Sequence, residues 1–106
     1  MSYISQAIDI LEITLASKNR DYRIDGEFSN FEFAADVAEV TTIDVMLTQI
    51  GIKLGRIRGL SRTPNNESLE DSVKDLAGYA VILYAYLMSK SEDEVWVPGS
   101  NSEEEV

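Results

Sequence analysis

Leu69, Val73, Leu76, Ala80, Leu83 and Leu87 recur at intervals of three and four residues. That is the period of a helix with one apolar stripe. From Leu76 to Ser89 the same segment carries no charge at all. The run is too short to span a bilayer. Tyr79, Tyr84 and Tyr86 fall on several sides of it, so it is apolar almost all round and needs burial on more than one side. A chain with this segment is expected to be a helical bundle, and in so short a chain the greasy helix also predicts a subunit interface.

The rest of the chain follows the same period. Ile4, Ile8, Leu11 and Leu15 predict a first helix over about Ser2 to Ser17. A polar loop, KNRDYRIDGEF with Gly26, comes next. Ser29 and Glu32 have capping-box spacing for a short second helix, about Asn30 to Glu39, that buries Phe31, Ala34 and Val37. Thr41 or Thr42 offers the next cap, with Asp44 in the first turn, where the helix dipole favours a negative charge. The third helix runs to about Gly59, with Ile43, Met46, Leu47, Ile50, Leu54 and Ile57 as its core face. Pro64 marks a turn, and Ser68 is the expected cap of the fourth helix, which runs to about Met88. No strand pattern of comparable length competes. The expected fold is all-α, three long helices and one short one.

Composition narrows the chemistry. The chain has 106 residues, no cysteine and no histidine. Disulfides, zinc–thiolate sites and thiol nucleophiles are therefore absent, as is the usual general base. Catalysis would fall to carboxylates, Lys, Tyr or an oxygen-bound metal. The start MSYISQAIDI lacks the pattern of a signal peptide, so a cytoplasmic protein with no membrane contact is expected. The net charge is -10, but six acids and no base lie in residues 91 to 106. Residues 91–106 read as an acidic disordered tail and residues 1–90 as the helical domain, whose own charge is about -4. A nucleic-acid mimic is thereby weakened, and a nucleic-acid binder is disfavoured by so small a basic patch in an acidic chain.

Two rows carry the candidate site. Gln49, Lys53 and Arg56 sit at i, i+4, i+7 beside the apolar face of the third helix, in a stretch with no acid. They could hold phosphate oxygens from a cleft, or snorkel with their charges in water. Asp71 and Asp75 lie one turn apart on the fourth helix, in a row with Gly78. Such a pair can bind one Mg²⁺ through oxygen, or form an acidic first half favoured by the dipole. Gly78 in mid-helix suggests a close neighbour, either backbone or ligand. Arg20, Tyr22, Arg23 and Glu27, with Phe28 and Asn30, could lid a cleft or form a plain solvated loop.

The pieces Lys53-Leu-Gly-Arg56 and Asp71-Ser-Val-Lys-Asp75-Leu-Ala-Gly78-Tyr79, within residues 19 to 87, resemble small phage and prophage proteins of the nucleotide-modification-associated type. These are distantly similar to MazG-like all-α nucleotide pyrophosphohydrolases. The resemblance implies two acidic pairs holding Mg²⁺ against a triphosphate, with Asp71 and Asp75 as the second pair. The first pair departs from that pattern: Asp9 and Glu12 are weakly spaced, and Glu32, Asp36 and Glu39 lack doubled glutamates.

The expectation is a homodimeric or larger phage-type protein that binds a phosphorylated nucleotide. Gln49, Lys53, Arg56, Arg20 and Asn30 would contact the ligand and Asp71 and Asp75 the Mg²⁺, with hydrolysis of a phosphoanhydride as its possible chemistry. No catalytic residue is assigned. The rival is a binding protein without chemistry, which sequesters a nucleotide signal or blocks a host protein.

Overall fold

The computed structural model describes residues 2–22, 26–62 and 66–93. These residues form four helices and no strand: α1 (Tyr3–Tyr22), α2 (Ser29–Ala38), α3 (Thr42–Arg62) and α4 (Asn66–Asp93). The expected pattern of three long helices and one short one is what the described residues adopt. The closest packing is α3 on α4; α2 lies on α3, and α1 lies more lightly on α4. No described helix is long and apolar enough to cross a membrane.

The helix boundaries follow local chemistry. Ser2 starts α1: its Oγ accepts the Ser5 backbone N–H at 3.0 Å. The expected end near Ser17 is exceeded, because no Gly or Pro occurs before Gly26 and the polar residues after Ser17 sustain a helix. The capping box expected at Ser29 is displaced. Phe28 occupies the N-cap position with no side-chain cap, and Ser29 is already helical. Its N–H donates to the Gly26 carbonyl at 3.3 Å, so the winding begins in the preceding turn.

Glu39 ends α2 in the left-handed region, at φ 60° and ψ 44°. The Val40 N–H reaches the Ala35 carbonyl at 3.0 Å and the Glu39 N–H the Asp36 carbonyl at 3.2 Å, the paired bonds of a Schellman end. Glu39 therefore stands outside the helical spacing expected of Glu32, Asp36 and Glu39. Thr41 caps α3 with a reciprocal pair. Its Oγ1 accepts the Asp44 N–H at 3.0 Å, and the Asp44 carboxylate accepts the Thr41 N–H at 3.3 Å. The turn around Pro64 lies outside the described residues. α4 begins at Asn66, so Ser68 falls within its first turn rather than at its cap, and it runs on past Met88 and past residue 90 to Asp93. Residues 94–106, most of the expected tail, lie outside the described residues.

The core is small and its faces are rotated from those expected. Met46 is fully buried, at 0% exposure, and Ala35 and Tyr86 are the other buried large or apolar side chains among the described residues. On α3 the packed face runs through Met46, Gln49, Ile50, Lys53, Ile57 and Leu60. Ile43, Leu47 and Leu54, expected on it, are exposed. On α4 the packed face runs through Ser72, Asp75, Leu76, Tyr79, Leu83 and Tyr86, while Val73, Ala80 and Leu87 are exposed. Val37 of α2 is 68% exposed, and Ile4 and Ile8 of α1 lie open at 75% and 58%. The reason is depth: each helix meets one or two neighbours, so half of a broad apolar stripe finds nothing to pack on. The tyrosines of α4 divide accordingly, with Tyr79 and Tyr86 inward and Tyr84 outward; Val81 is exposed as well.

Candidate functional site: a cleft beside an ion-paired seam

The rotation of α3 and α4 brings parts of the two charged rows together. Lys53 Nζ lies 3.1 Å from Asp75 Oδ2 across the α3–α4 seam, with the two side chains 21% and 38% exposed. Both groups sit on packed faces, so each offsets a charge that would otherwise be half-desolvated. Gln49 is half-buried one turn before Lys53, whereas Arg56 and Asp71 are exposed. The row of Gln49, Lys53 and Arg56 is thus split, and the Asp71–Asp75 pair has one member in solvent and one bound to an ammonium. Among the described residues no three acids are grouped as metal ligands. Arg20 stands near the end of α1, and its side chain lies outside the described residues.

A cleft of about 800 Å³ opens on the other side of Asp75. Its walls are α1 from Ile8 to Lys18, the start of α2 with Glu27, Phe28, Asn30 and Phe31, and α4 from Lys74 to Ala85. The volume is that of a small-molecule pocket. Gly78 forms part of the floor, where Leu15 packs over it; a Cβ built at Gly78 would meet Leu15 Cδ2 at 3.5 Å. The neighbour that this glycine signalled is therefore a leucine side chain on α1.

The aromatic wall is fixed by ring packing. Phe31 meets Tyr79 edge to face, with centroids 6.4 Å apart and planes at 87°. Phe28 meets Tyr86 likewise at 5.3 Å and 82°, and Lys90 Nζ lies 5.3 Å from the Tyr86 ring centre. Such edge-to-face pairs add to burial and tie the start of α2 to α4. Around the aromatic wall stand Asn30, Glu12, Glu27, Lys18, Lys74 and Asp75.

Of the residues expected from sequence, Asn30 and Asp75 line this cleft; Gln49, Lys53, Arg56 and Asp71 do not. Glu27 and Phe28 of the expected lid segment also line it. Lys18, Lys74 and Phe31 were missed as cleft residues. Lys74 had a signal, since it lies four residues before Gly78 on α4 and thus faces the same side. Lys18 has none, because the sequence places it at the start of a polar loop. Comparison of the chain with family models, curated proteins and solved structures finds no match to any of the three.

Proposed function

We propose that the protein binds a phosphorylated nucleotide in the α1–α4 cleft and holds it without cleaving it. The observation that carries this reading is the aromatic wall of Phe28, Phe31 and Tyr79 inside a cleft of about 800 Å³ with two lysines on its lining. A nucleobase offers a flat face to such rings, and stacking of this kind is tolerant of base identity. The Asn30 amide both donates and accepts, so it suits a base edge. Lys18 and Lys74 suit phosphate oxygens as point charges.

Three acids line the same cleft: Glu12, Glu27 and Asp75. With Asp75 offset by Lys53, two acids face two lysines, a balance that favours ligands with few phosphates over triphosphates. Asp75, already paired with an ammonium, makes a poor Mg²⁺ ligand, and this supports binding over hydrolysis. Mg²⁺ then travels on the phosphates and keeps most of its waters.

Calorimetric titration of the full chain with a nucleoside, its monophosphate and its triphosphate, each with and without Mg²⁺, tests this reading. The monophosphate is expected to bind most tightly and to raise the melting temperature. Lys74→Ala, at an exposed position, should weaken the monophosphate by about tenfold, ~1.4 kcal/mol, and the nucleoside very little. No binding at millimolar ligand, or steady release of phosphate or pyrophosphate, would overturn it.

A further inference from the structure

The outer face of α3 is opposite the seam, and nothing described covers it. Leu47, Ile52 and Leu54 are each about half exposed there. Between them run Gly51, Gly55 and Gly59, and a Cβ added at any of the three meets nothing within 4 Å. Glycine weakens a helix relative to alanine, so three of them one turn apart on an open face call for a reason. The glycines say that something can approach closely; they do not say what. The charges on the same face choose the occupant.

Asp44 lies in the first turn of α3 and Arg62 in the last. They are about five turns apart, hence on the same side, about 27 Å from one another along the axis. Arg58, between Gly55 and Gly59 in the chain, lies on that side too. Neither arginine has an ion-pair partner among the described residues. Only one Asp44 oxygen, Oδ2, is used in the cap with Thr41. The face is therefore acidic at one end and basic at the other.

We propose that this face is an antiparallel interface with a second copy of the chain, in a register that sets Asp44 against the second copy's Arg62. A two-fold axis at the level of Lys53 gives that register. It also sets Gly51 against the second copy's Gly55, Thr48 against its Arg58, and each of Leu54 and Ile52 beside its own counterpart. The glycines then lie at the crossing, where the backbones come closest, and the leucine and isoleucine pairs flank it. Parallel pairing would instead stack Asp44 on Asp44, Arg58 on Arg58 and Arg62 on Arg62, so the charges reject it. The open apolar residues of α1 and α4 offer more area but no such selection of a partner. The interface lies away from the cleft and does not rest on the ligand proposed for it.

The chain contains no cysteine, so introduced cysteines report the register. Positions 48 and 58 of one helix are about 15 Å apart, too far for a disulfide within a chain. On oxidation, the full chain carrying both Thr48→Cys and Arg58→Cys is expected to give a covalent dimer, and either single variant to stay uncrosslinked. By sedimentation, Gly55→Leu should raise the dimer dissociation constant by about tenfold or more. Its helical circular dichroism should be undiminished, because a Cβ at position 55 meets nothing within 4 Å and leucine favours a helix over glycine. Arg62→Asp should weaken the dimer, and Arg62→Asp with Asp44→Arg should restore it. Covalent dimer from Thr48→Cys alone would overturn the antiparallel register. A wild-type chain that stays monomeric at hundreds of micromolar, or a Gly55→Leu chain that dimerises as well as wild type, would overturn the interface.

Discussion

Gly78 shows how much one missing side chain decides in this molecule. It sits in mid-α4, where glycine costs a helix about 1 kcal/mol relative to alanine. Leu15 lies over it at a distance that a methyl group would meet as ordinary contact. The Gly78→Ala chain is therefore expected to gain up to about 1 kcal/mol in denaturant unfolding, with the Leu15 contact kept. A loss of stability instead would mean that α1 packs on α4 more tightly than 3.5 Å from that position allows. The Lys53–Asp75 pair, 3.1 Å across the seam, works in the opposite sense. Each partner was a candidate for ligand or metal on its own; as a pair they are first a structural contact. Both are partly open to solvent, so the pair itself contributes little, about 0–1 kcal/mol.

The two ends of the α2–α3 corner differ in how well they are made. Thr41 and Asp44 cap α3 reciprocally, while Glu39 closes α2 in a conformation that suits glycine. Thr41→Ala should lower stability by about 1 kcal/mol, the usual worth of such a cap. Glu39→Gly should raise it by a similar amount, about 1 kcal/mol, because the left-handed strain at a residue with a Cβ is removed. Chemical denaturation of the two single variants reads both changes. Equal effects of the same sign would show that the corner is held by something other than its caps. The same corner explains why three acids spaced like a helical row fail to form one: Glu39 has left the helix before its carboxylate could join Glu32 and Asp36.

Across the whole molecule stability is unevenly spread. Met46 and Tyr86 anchor α3 and α4, whereas the first turns of α1 project Tyr3 at 88% exposure, with Ile4 and Ile8 also open. Segments with few buried contacts open first. Amide exchange is expected to be fastest in residues 3–10, intermediate in the rest of α1, and slowest in the middle of α3 and α4. Protection that is uniform along α1 would show Ile4 and Ile8 to be covered in solution. A nucleotide in the cleft should slow exchange in α1 selectively, since α1 forms one wall and α3 forms none.

The sequence by itself determined the number of helices, their order and the cap of α3, because those depend on period, on glycine and proline, and on short-range bonds such as Thr41 to Asp44. It also marked Gly78, Lys53 and Asp75 as residues out of the ordinary. Which side of each helix faces inward was decided by the tertiary structure. Leu47, Leu54 and Val73 are as apolar as the residues that are buried, and a broad stripe has no single centre that spacing alone can find. The seam instead runs through Met46 and Ile50 on α3 and Leu76, Leu83 and Tyr86 on α4, with Lys53 and Asp75 paired at its partly open edge, and it left the other apolar residues of both helices in the open. The cleft was likewise out of reach of spacing. It is built where α1, which winds on past Ser17, passes the start of α2 and the middle of α4, and the α4 segment is far in the chain from the other two.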